Sequence, residues 1–175
     1  MSKVVAFTGP AGCGKSTAAD ALVSVGWVKV KFASTLKNMV RCMGLTDEHI
    51  EGQLKEEPLD WLGGKSPRFV MQTLGTEWGR KLIDENLWAS IAKREICNAI
   101  SAGVNVVVDD CRFENEATAI REIGGEIVEI YGRGGIVSGH ESERGVKPDW
   151  RINNTGSASN LAVDVVYIFN AEEGK

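Results

Sequence analysis

The chain has 175 residues, 43% of them apolar, with 20 Lys and Arg against 24 Asp and Glu for a net charge of −4. This length suits a single domain, 1–175, that buries its own core. The acidic balance, without a run of Lys or Arg, excludes the broad basic surface of a protein that binds nucleic acid or a membrane surface. The 20 glycines follow no collagen-like period, so we expect them in specialised turns.

Cysteine spacing and apolar run length indicate the compartment. The 4 cysteines are far apart and form no CxxC pair, which predicts free thiols rather than a zinc site or disulfides. The N-terminal apolar segment is too short for a signal peptide, and no later apolar run approaches about 18 residues. We therefore expect a cytoplasmic protein.

The first part of the chain predicts a strand, a loop and a helix, followed by a second strand. Residues 4–8 are β-branched and aromatic, a Gly/Pro loop follows them, and 16–23 has the pattern of a helix that ends at Gly26. Apolar residues alternate with lysines over 28–32, which predicts a strand with one wetter face. The stretch 34–102 carries apolar residues at helical spacing with Gly and Pro breaks, and it is predicted to be helical.

Strands alternate with helices in the rest of the chain. Residues 104–108 are nearly all valine, which is typical of a central strand buried on both faces. A predicted helix over 117–123, closed by two glycines, separates it from a strand over 126–131, and the last strand is predicted over 163–169. This order predicts an α/β fold with a parallel sheet, helices on both faces and ligands at the carboxyl ends of the strands.

The helical stretch divides the predicted domain. We expect a core of about 1–33 and 103–175 and a helical insertion of about 34–102. One long irregular stretch, of about 132–149, is rich in glycine, and loops longer than about 12 to 15 residues are usually functional or disordered. We interpret this stretch as a mobile lid.

The segment 9–16 carries the strongest local motif. Its sequence, GPAGCGKS, satisfies GxxxxGK[ST] and lies between a predicted buried strand and a predicted helix. Glycines let backbone N–H groups surround a phosphate, and the helix N-terminus adds partial positive charge. The motif predicts a P-loop site for a purine nucleoside triphosphate, ATP above all, with Mg²⁺. The residues assigned to ATP in this segment are Gly12, Cys13, Gly14, Lys15, Ser16 and Thr17.

Two carboxylates follow the valine-rich strand. Asp109 and Asp110 lie at the same end of the predicted sheet as the phosphate loop, where a carboxylate can hold Mg²⁺ through water or take a proton from an acceptor. An aspartate at this place can instead cap the next helix. Whether Asp109 or Asp110 is the main functional carboxylate stays open. We assign Lys15, Asp110 and Arg112 to catalysis, and Ser16 and Asp110 to Mg²⁺.

The helical insertion is the predicted acceptor site. The small size and the absence of an NKxD motif favour a kinase over a GTPase switch, a motor or a transporter. Lys37, Arg68 and Arg80 are candidates to bind a second phosphate, because Arg forks fit phosphate oxygens; the alternative is that they are solvated charges on a helix face. The candidates for contacting the base or the sugar are Gln72, Thr76, Trp61 and Trp78.

Five segments, in order along nearly the whole chain, resemble the phage-type deoxynucleoside monophosphate kinases. The most specific is 68–80, RFVMQTLGTEWGR, which is similar to the RxxxQxLGT signature of that family. The others are 32–37 (FASTLK), 110–116 (DCRFENE, similar to DxRxxxE), 140–145 (HESERG, similar to HxxExG) and 149–157 (DWRINNTGS, similar to DxxIxNxGS).

The resemblance implies a P-loop kinase of the nucleoside monophosphate kinase superfamily that uses ATP and Mg²⁺. It would phosphorylate a deoxynucleoside 5′-monophosphate, giving the diphosphate and ADP. It also implies a small-molecule partner, no nucleic acid and no membrane, with a homodimer left open, in the host cytoplasm if the chain is phage-encoded. Glu116 joins the acceptor site on this basis, and Asn154 and Gly156 join the ATP site beside the adenine.

The lid region supplies further candidates. Arg133 and Arg144 can close over the triphosphate, with solvated loop charges as the alternative. We interpret His140 as a polar partner of Glu143 that orders the lid, rather than as an acid or base.

Two other functions stay open. Dephospho-coenzyme A kinase shares the core and a late Asn-x-Gly-like segment, but it does not share the RxxxQxLGT run. A nucleotide-binding regulatory module without catalysis would bind ATP and show no turnover that depends on an acceptor.

Overall fold

The computed structural model describes residues 2–134 and 146–170. The chain divides into two compact units, which we call unit 1 (Met1–Phe32 with Ala92–Lys175) and unit 2 (Ala33–Ile91).

The strands are β1 (Val4–Thr8), β2 (Val28–Val30), β3 (Val106–Val108), β4 (Glu126–Tyr131) and β5 (Trp150–Asn153). The helices are α1 (Lys15–Ser24), α2 (Ser34–Cys42), α3 (Asp47–Ile50), α4 (Pro67–Gln72), α5 (Leu87–Ser101), α6 (Glu114–Glu122) and α7 (Ala158–Asn170). Two short 3₁₀ helices cover Gln53–Glu56 and Asp60–Leu62, and a π-helix covers Thr73–Ile83.

Unit 1 is built on a five-stranded sheet of order β2-β3-β1-β4-β5, in which every pairing of neighbouring strands is parallel. The strands β1 and β3 are buried throughout, which explains their runs of valine and other apolar residues. The predicted parallel sheet is confirmed. Its second and third strands are shorter than predicted, since β2 ends at Val30 and β3 begins at Val106.

Helices cover both faces of this sheet, as the sequence predicts. Side chains alternate along β1, so that Val5 and Phe7 pack with Leu22 of α1 and Val165 of α7. On the opposite face, α6 packs on β1.

The predicted strand over 163–169 is wrong, because these residues belong to α7. The β-branched run favours a strand locally, but β-propensity spans only about 1 kcal/mol. In the helix, Val165 and Phe169 face the core four residues apart, and the Phe169 ring lies 5.2 Å from Trp150 and 6.3 Å from Phe7. Burying one such aromatic side chain is worth about 1.5–3 kcal/mol, which outweighs the propensity.

Unit 2 is helical, and the predicted helical character of this stretch is confirmed. Its small core consists of Val40, Leu45, Ile50 and Met71, with partly buried apolar side chains around them. Ser66 starts α4 by accepting a hydrogen bond from the Phe69 N–H at 3.3 Å, and Pro67 occupies the first turn, where its missing N–H costs nothing. Among the described residues of the whole chain, no helix is both long and apolar enough to span a membrane.

Candidate active site

The phosphate loop, 9–16, connects the carboxyl end of β1 to α1. Gly9 and Gly14 have φ angles of +131° and +108°. A Cβ atom at Gly9 would lie 2.4 Å from the Ile130 carbonyl oxygen, and one at Gly14 would lie 2.7 Å from the Asn154 side-chain nitrogen. Only glycine fits both places, so the loop stays tight enough to present its N–H groups to one anion.

The start of α1 is suited to bind that anion. Its first turn contains no acidic residue, and no side chain caps its N-terminus. The exposed Ser16 hydroxyl makes no hydrogen bond with any described residue. The unpaired N–H groups and the positive end of the helix dipole favour a phosphate here.

Lys15 bonds to the backbone of the phosphate loop. Its Nζ donates hydrogen bonds to the Gly9 carbonyl at 2.7 Å and to the Pro10 carbonyl at 2.8 Å. These acceptors are neutral, whereas a phosphate oxygen accepts a charge-assisted bond that is roughly twice as strong. A bound phosphate would therefore draw the ammonium away from the carbonyls.

Asp109 and Asp110 leave β3 on opposite faces of the sheet and meet different partners. The Asp109 side chain is 2% exposed, and its Oδ2 lies 3.4 Å from Lys31 Nζ and 3.7 Å from Lys29 Nζ. Neither oxygen of Asp109 accepts a hydrogen bond from a described residue. Asp110 is half-buried, and its Oδ1 accepts a hydrogen bond from the Phe32 N–H at 2.9 Å. Two lysines thus balance the charge of Asp109, while a neutral donor orients Asp110.

The oxygen atoms at this edge suit a hard divalent cation. Mg²⁺ prefers hydroxyl and carboxylate oxygens, and beside substrate phosphates it commonly uses one or two carboxylates. Ser16 and Asp110 offer such oxygens, whereas the ammonium groups of Lys29 and Lys31 would repel a cation at Asp109. Within 2–134 and 146–170, no group of three or more His, Cys, Asp or Glu side chains is placed to hold a metal by itself.

Residues after β4 and β5 support the phosphate loop. Asn154 is buried, and its Nδ2 donates a hydrogen bond to the Cys13 carbonyl at 2.8 Å. Arg133 donates from Nη2 to the Gly156 carbonyl at 2.8 Å. Gly134 lies so close to the loop that a Cβ there would be 2.5 Å from the Ala11 carbonyl oxygen. The structure therefore brings Asn154 next to the loop and joins Arg133 to Gly156.

Arg112 and Glu116 follow β3 and have different surroundings. Arg112 is exposed, and its guanidinium forms no hydrogen bond or ion pair with a described residue. Glu116 is buried in unit 1, where its Oε2 accepts hydrogen bonds from the backbone N–H groups of Arg112 at 2.8 Å and Phe113 at 3.2 Å. These bonds satisfy donors at the start of α6, a structural contact that the sequence assignment to the acceptor site did not include.

The cysteines are free thiols, as predicted. Burial raises the pKa of the Cys111 thiol, and the nearby Glu116 carboxylate raises it further. Cys111 therefore stays protonated and unreactive.

The candidate acceptor site lies on unit 2. Lys37 of α2 forms an ion pair with Glu51, and Arg68 of α4 forms one with Glu56 at 2.8 Å. Both glutamate side chains are more than half exposed, at 52% and 61%. Such exposed pairs contribute only about 0–1 kcal/mol, so a doubly charged phosphate can displace the glutamates.

The predicted phosphate and base contacts form a ridge along one continuous helix. The chain passes from α4 into the π-helix, whose i→i+5 hydrogen bonds make a wider turn. Side chains four residues apart are displaced around the helix axis in one direction in an α-helix and in the opposite direction in a π-helix. The two displacements offset each other across the junction, so residues with this spacing lie on one side of the helix. The row consists of Arg68, Gln72, Thr76 and Arg80, of which the first three are exposed.

Trp88 holds the π-helix in place. Its Nε1 donates a hydrogen bond to the Gly75 carbonyl at 2.9 Å, and a Cβ at Gly79 would lie 2.6 Å from its ring. The Trp78 ring centroid lies 6.3 Å from that of Trp88, and Trp78 remains 37% exposed. Trp61 is 57% exposed. Both tryptophans predicted to face a base therefore keep ring surface available for stacking.

The lid residues His140, Glu143 and Arg144 lie outside the described residues, as does most of the predicted lid. Their assignment stays a prediction.

Three lysines that were not predicted as functional residues lie among charged groups in the structure. Lys29 and Lys31 are close to Asp109, and the alternation of lysines with apolar residues over 28–32 could have indicated them. Lys55, in the 3₁₀ helix Gln53–Glu56, carried no motif that pointed to it.

The parallel sheet, the GxxxxGK[ST] loop between β1 and α1, and the helical second unit define a P-loop kinase fold. Solved structures share this fold: a Thermus thermophilus protein, TT1252 (TM-score 0.56, 16% identity, 99% of each chain covered), and the dephospho-CoA kinase of Campylobacter jejuni (0.54, 17%, 97% of this chain and 96% of that one). Shikimate kinase of Acinetobacter baumannii, in complex with shikimate, is also similar (0.51, 12%, 100% and 97%). At these identities the likeness concerns the fold alone.

Sequence comparison then specifies the family. Residues 47–165 match the family model described as "Deoxynucleotide monophosphate kinase". A protein of Acanthamoeba polyphaga mimivirus, provisionally named a deoxynucleotide monophosphate kinase, is 33% identical over 156 residues, covering 80% of each chain. The deoxynucleoside-5′-monophosphate kinase of Escherichia phage T5 is 30% identical over 112 residues, which are 57% of this chain and 44% of that one. The chain belongs to the deoxynucleotide monophosphate kinase family, and it is thus a phosphotransferase.

Proposed function

We propose that the protein transfers the γ-phosphate of ATP to a deoxynucleoside 5′-monophosphate, giving the diphosphate and ADP, as a step in supplying nucleotides for DNA synthesis. One observation carries this proposal: each unit of a chain from this family offers a place for an anion. Unit 1 has the phosphate loop, and unit 2 has Lys37 and Arg68.

The proposed chemistry is mostly positioning and neutralisation of charge, as in phosphoryl transfer generally. The loop N–H groups and the α1 N-terminus hold the triphosphate. Lys15 moves from the Gly9 and Pro10 carbonyls to the β- and γ-phosphate oxygens. Arg112, whose guanidinium forms no hydrogen bond or ion pair with a described residue, adds positive charge beside the group in transfer.

Ser16 and Asp110 are the residues that would hold Mg²⁺, because they offer the hydroxyl and carboxylate oxygens at this edge of the sheet. The bound ion would neutralise negative charge on the β- and γ-phosphate oxygens. Asp110, already oriented by the Phe32 N–H, would also orient the attacking phosphate oxygen of the acceptor.

The proposed acceptor contacts lie on unit 2. Lys37 and Arg68 replace their glutamate partners with the acceptor phosphate, and Arg68 can do so in a bidentate manner. Farther along the ridge, Gln72 and Thr76 are exposed for the base and sugar. Trp78 lies off this row and keeps part of its ring exposed for stacking on the base.

A panel of acceptors tests the function. The full chain is incubated with ATP, Mg²⁺ and, separately, dTMP, dGMP, dCMP, dAMP and dephospho-coenzyme A, and ADP release is followed. We expect turnover with at least one deoxynucleotide. Turnover with dephospho-coenzyme A alone would assign the other kinase activity, and ATP binding without turnover on any acceptor would leave a regulatory module.

Lys15→Ala locates the chemistry within the same assay. Removing the ammonium takes away charge from the transferred group, so we expect turnover to fall at least about 100-fold, the usual loss for one such group. The matched control is Lys93→Ala, which removes a partly exposed lysine paired with Glu122 in the same unit and should leave turnover within about twofold. Full turnover in Lys15→Ala would show that the site is assigned wrongly.

A further inference from the structure

Three cations of unit 2 lie on three elements that α4 joins. Lys37 lies on α2, Lys55 on the 3₁₀ helix Gln53–Glu56, and Arg68 on α4. Lys37 and Arg68 lie close enough to Lys55 to act on its charge. The helix α4 packs on both α2 and the 3₁₀ helix Gln53–Glu56. The ion pair between Arg68 and Glu56, the residue next to Lys55, also joins α4 to the 3₁₀ helix.

The negative charges nearby do not balance this cluster. Among the described residues that act on Lys55, Glu51 pairs with Lys37 and Glu56 pairs with Arg68, so with Lys55 this group holds three cations and two carboxylates. Lys55 forms no ion pair and no hydrogen bond with any described residue. The unpaired member is also partly buried, unlike most lysines, which keep the ammonium in water.

Lys55 lowers the stability of the folded protein when its side chain is charged. Burial lowers the pKa of the Lys55 ammonium, and the charges of Lys37 and Arg68 lower it further, against the opposing effect of Glu51 and Glu56. A lowered lysine pKa means that the folded state favours the uncharged form, so the stability this group confers is fully present only at high pH and is lost as the pH falls through the lowered value. At neutral pH, charged Lys55 therefore destabilises the fold.

We propose that Lys55 completes, with Lys37 and Arg68, the site that binds the 5′-phosphate of the acceptor nucleotide. The inference rests on the proposed function, since it takes the acceptor to be a deoxynucleoside monophosphate. The phosphate dianion supplies the negative charge that Lys55 lacks and displaces the exposed glutamates from the other two cations. Lys55 contributes a compact point charge, and Arg68 contributes the planar fork.

The test compares Lys55→Met, which keeps the apolar stem, with Lys55→Arg, which keeps the charge. Lys81→Met is the control, because Lys81 is an exposed lysine of the same unit that pairs with Glu77. Each protein is measured for its KM for ATP, its KM for the best deoxynucleotide of the acceptor panel, calorimetric binding of that deoxynucleotide without ATP, and its melting temperature.

For Lys55→Met we expect the acceptor KM and the acceptor dissociation constant to rise at least about tenfold, the effect of losing one hydrogen bond to a charged group. The KM for ATP should stay within about twofold, and the melting temperature should rise, because the destabilising charge is gone. Lys55→Arg should recover most of the acceptor affinity, and Lys81→Met should leave both KM values unchanged. A structural lysine would show the opposite change in melting temperature.

Two results would overturn the inference in distinguishable ways. In the first, the wild type phosphorylates a deoxynucleotide, and Lys55→Met either leaves the acceptor KM within about twofold or raises it together with a fall in melting temperature. Lys55 then does not bind the phosphate, and the proposed function stands. If the wild type uses no deoxynucleotide at all, the proposed function fails and this inference fails with it.

Discussion

Asp109 and Asp110 are adjacent residues of the same type that the fold gives different surroundings. Asp109 is buried beside Lys29 and Lys31, and its charge is already matched. Asp110 is half-buried and accepts a hydrogen bond from the neutral Phe32 N–H. Removing the cations beside a buried carboxylate costs several kcal/mol, so Lys29 and Lys31 stabilise the fold around Asp109. The metal role therefore fits Asp110, and Asp109 fits a structural role.

Exchanging each aspartate for asparagine separates these roles. For Asp110→Asn, the amide can still accept from Phe32 but carries no charge, so we expect the Mg²⁺ concentration for half-maximal turnover to rise at least about tenfold, equivalent to about 1.4 kcal/mol. For Asp109→Asn, we expect a loss of about 1–3 kcal/mol in the free energy of unfolding, because Lys31 loses its carboxylate partner and Lys29 keeps only Asp20. Its Mg²⁺ dependence should stay within about twofold.

Magnesium titration of turnover and urea denaturation measure the two effects on the same samples. A large change in Mg²⁺ dependence for Asp109→Asn alone would move the metal role to Asp109.

The helix α7 is the element whose secondary structure depends most on tertiary contacts. It starts after Ser157, whose Oγ accepts a hydrogen bond from the Asn160 N–H at 3.1 Å, an N-cap contact. Its buried residues Leu161, Val165 and Phe169 recur every four positions. Tyr167 lies on the other side and is 74% exposed. In a strand, by contrast, residues 165, 167 and 169 would share one face.

Two truncations distinguish the helix from the predicted strand. Phe169→Ala removes ring contacts to Phe7, Trp27 and Trp150, so we expect the free energy of unfolding to fall by about 3–5 kcal/mol. Tyr167→Ala removes an exposed ring and should change it by no more than about 0.5 kcal/mol. Urea denaturation of both variants gives the comparison, and similar losses from the two would mean that residues 167 and 169 share a buried face.

The net charge of the whole molecule is −4, but the charge is distributed unevenly and cations are concentrated at two places. Lys15 is held in the phosphate loop, while Lys37, Lys55 and Arg68 gather in unit 2. Each proposed ligand therefore has its own set of cations, and each should stabilise the fold through that set by mass action.

A crossed melting experiment tests this separation. At about 100 times the dissociation constant, a ligand adds about 2.7 kcal/mol, which corresponds to roughly 5–10 °C for a chain of this size. In Lys15→Ala we expect the shift with Mg·ATP to be lost and the shift with the deoxynucleoside monophosphate to be kept. In Lys55→Met the shift with Mg·ATP should be kept and the monophosphate shift, at the wild-type ligand concentration, should shrink. Loss of both shifts in either variant would contradict separate cation sets.

The sequence by itself determined the parts of this protein that depend on local pattern. The phosphate loop needs glycines and a lysine at fixed spacing between a strand and a helix, and the valine-rich central strands need burial on both faces, so both were predicted correctly. The helical character of unit 2 and the family segments likewise follow from short-range spacing.

Only the tertiary structure decided what depends on contacts between distant residues. The run 163–169 becomes helix because Phe169 meets rings more than a hundred residues away in sequence, from Phe7 and Trp27. The assignment of Glu116 to the acceptor site stays a prediction, whereas its burial and its hydrogen bond from the Arg112 N–H depend on the folded chain. Lys55 has no sequence signature, because Lys37 and Arg68 act on its charge only in the folded chain. Burial and charge balance are sums over neighbours in space, and the linear sequence does not contain those neighbours until the chain folds.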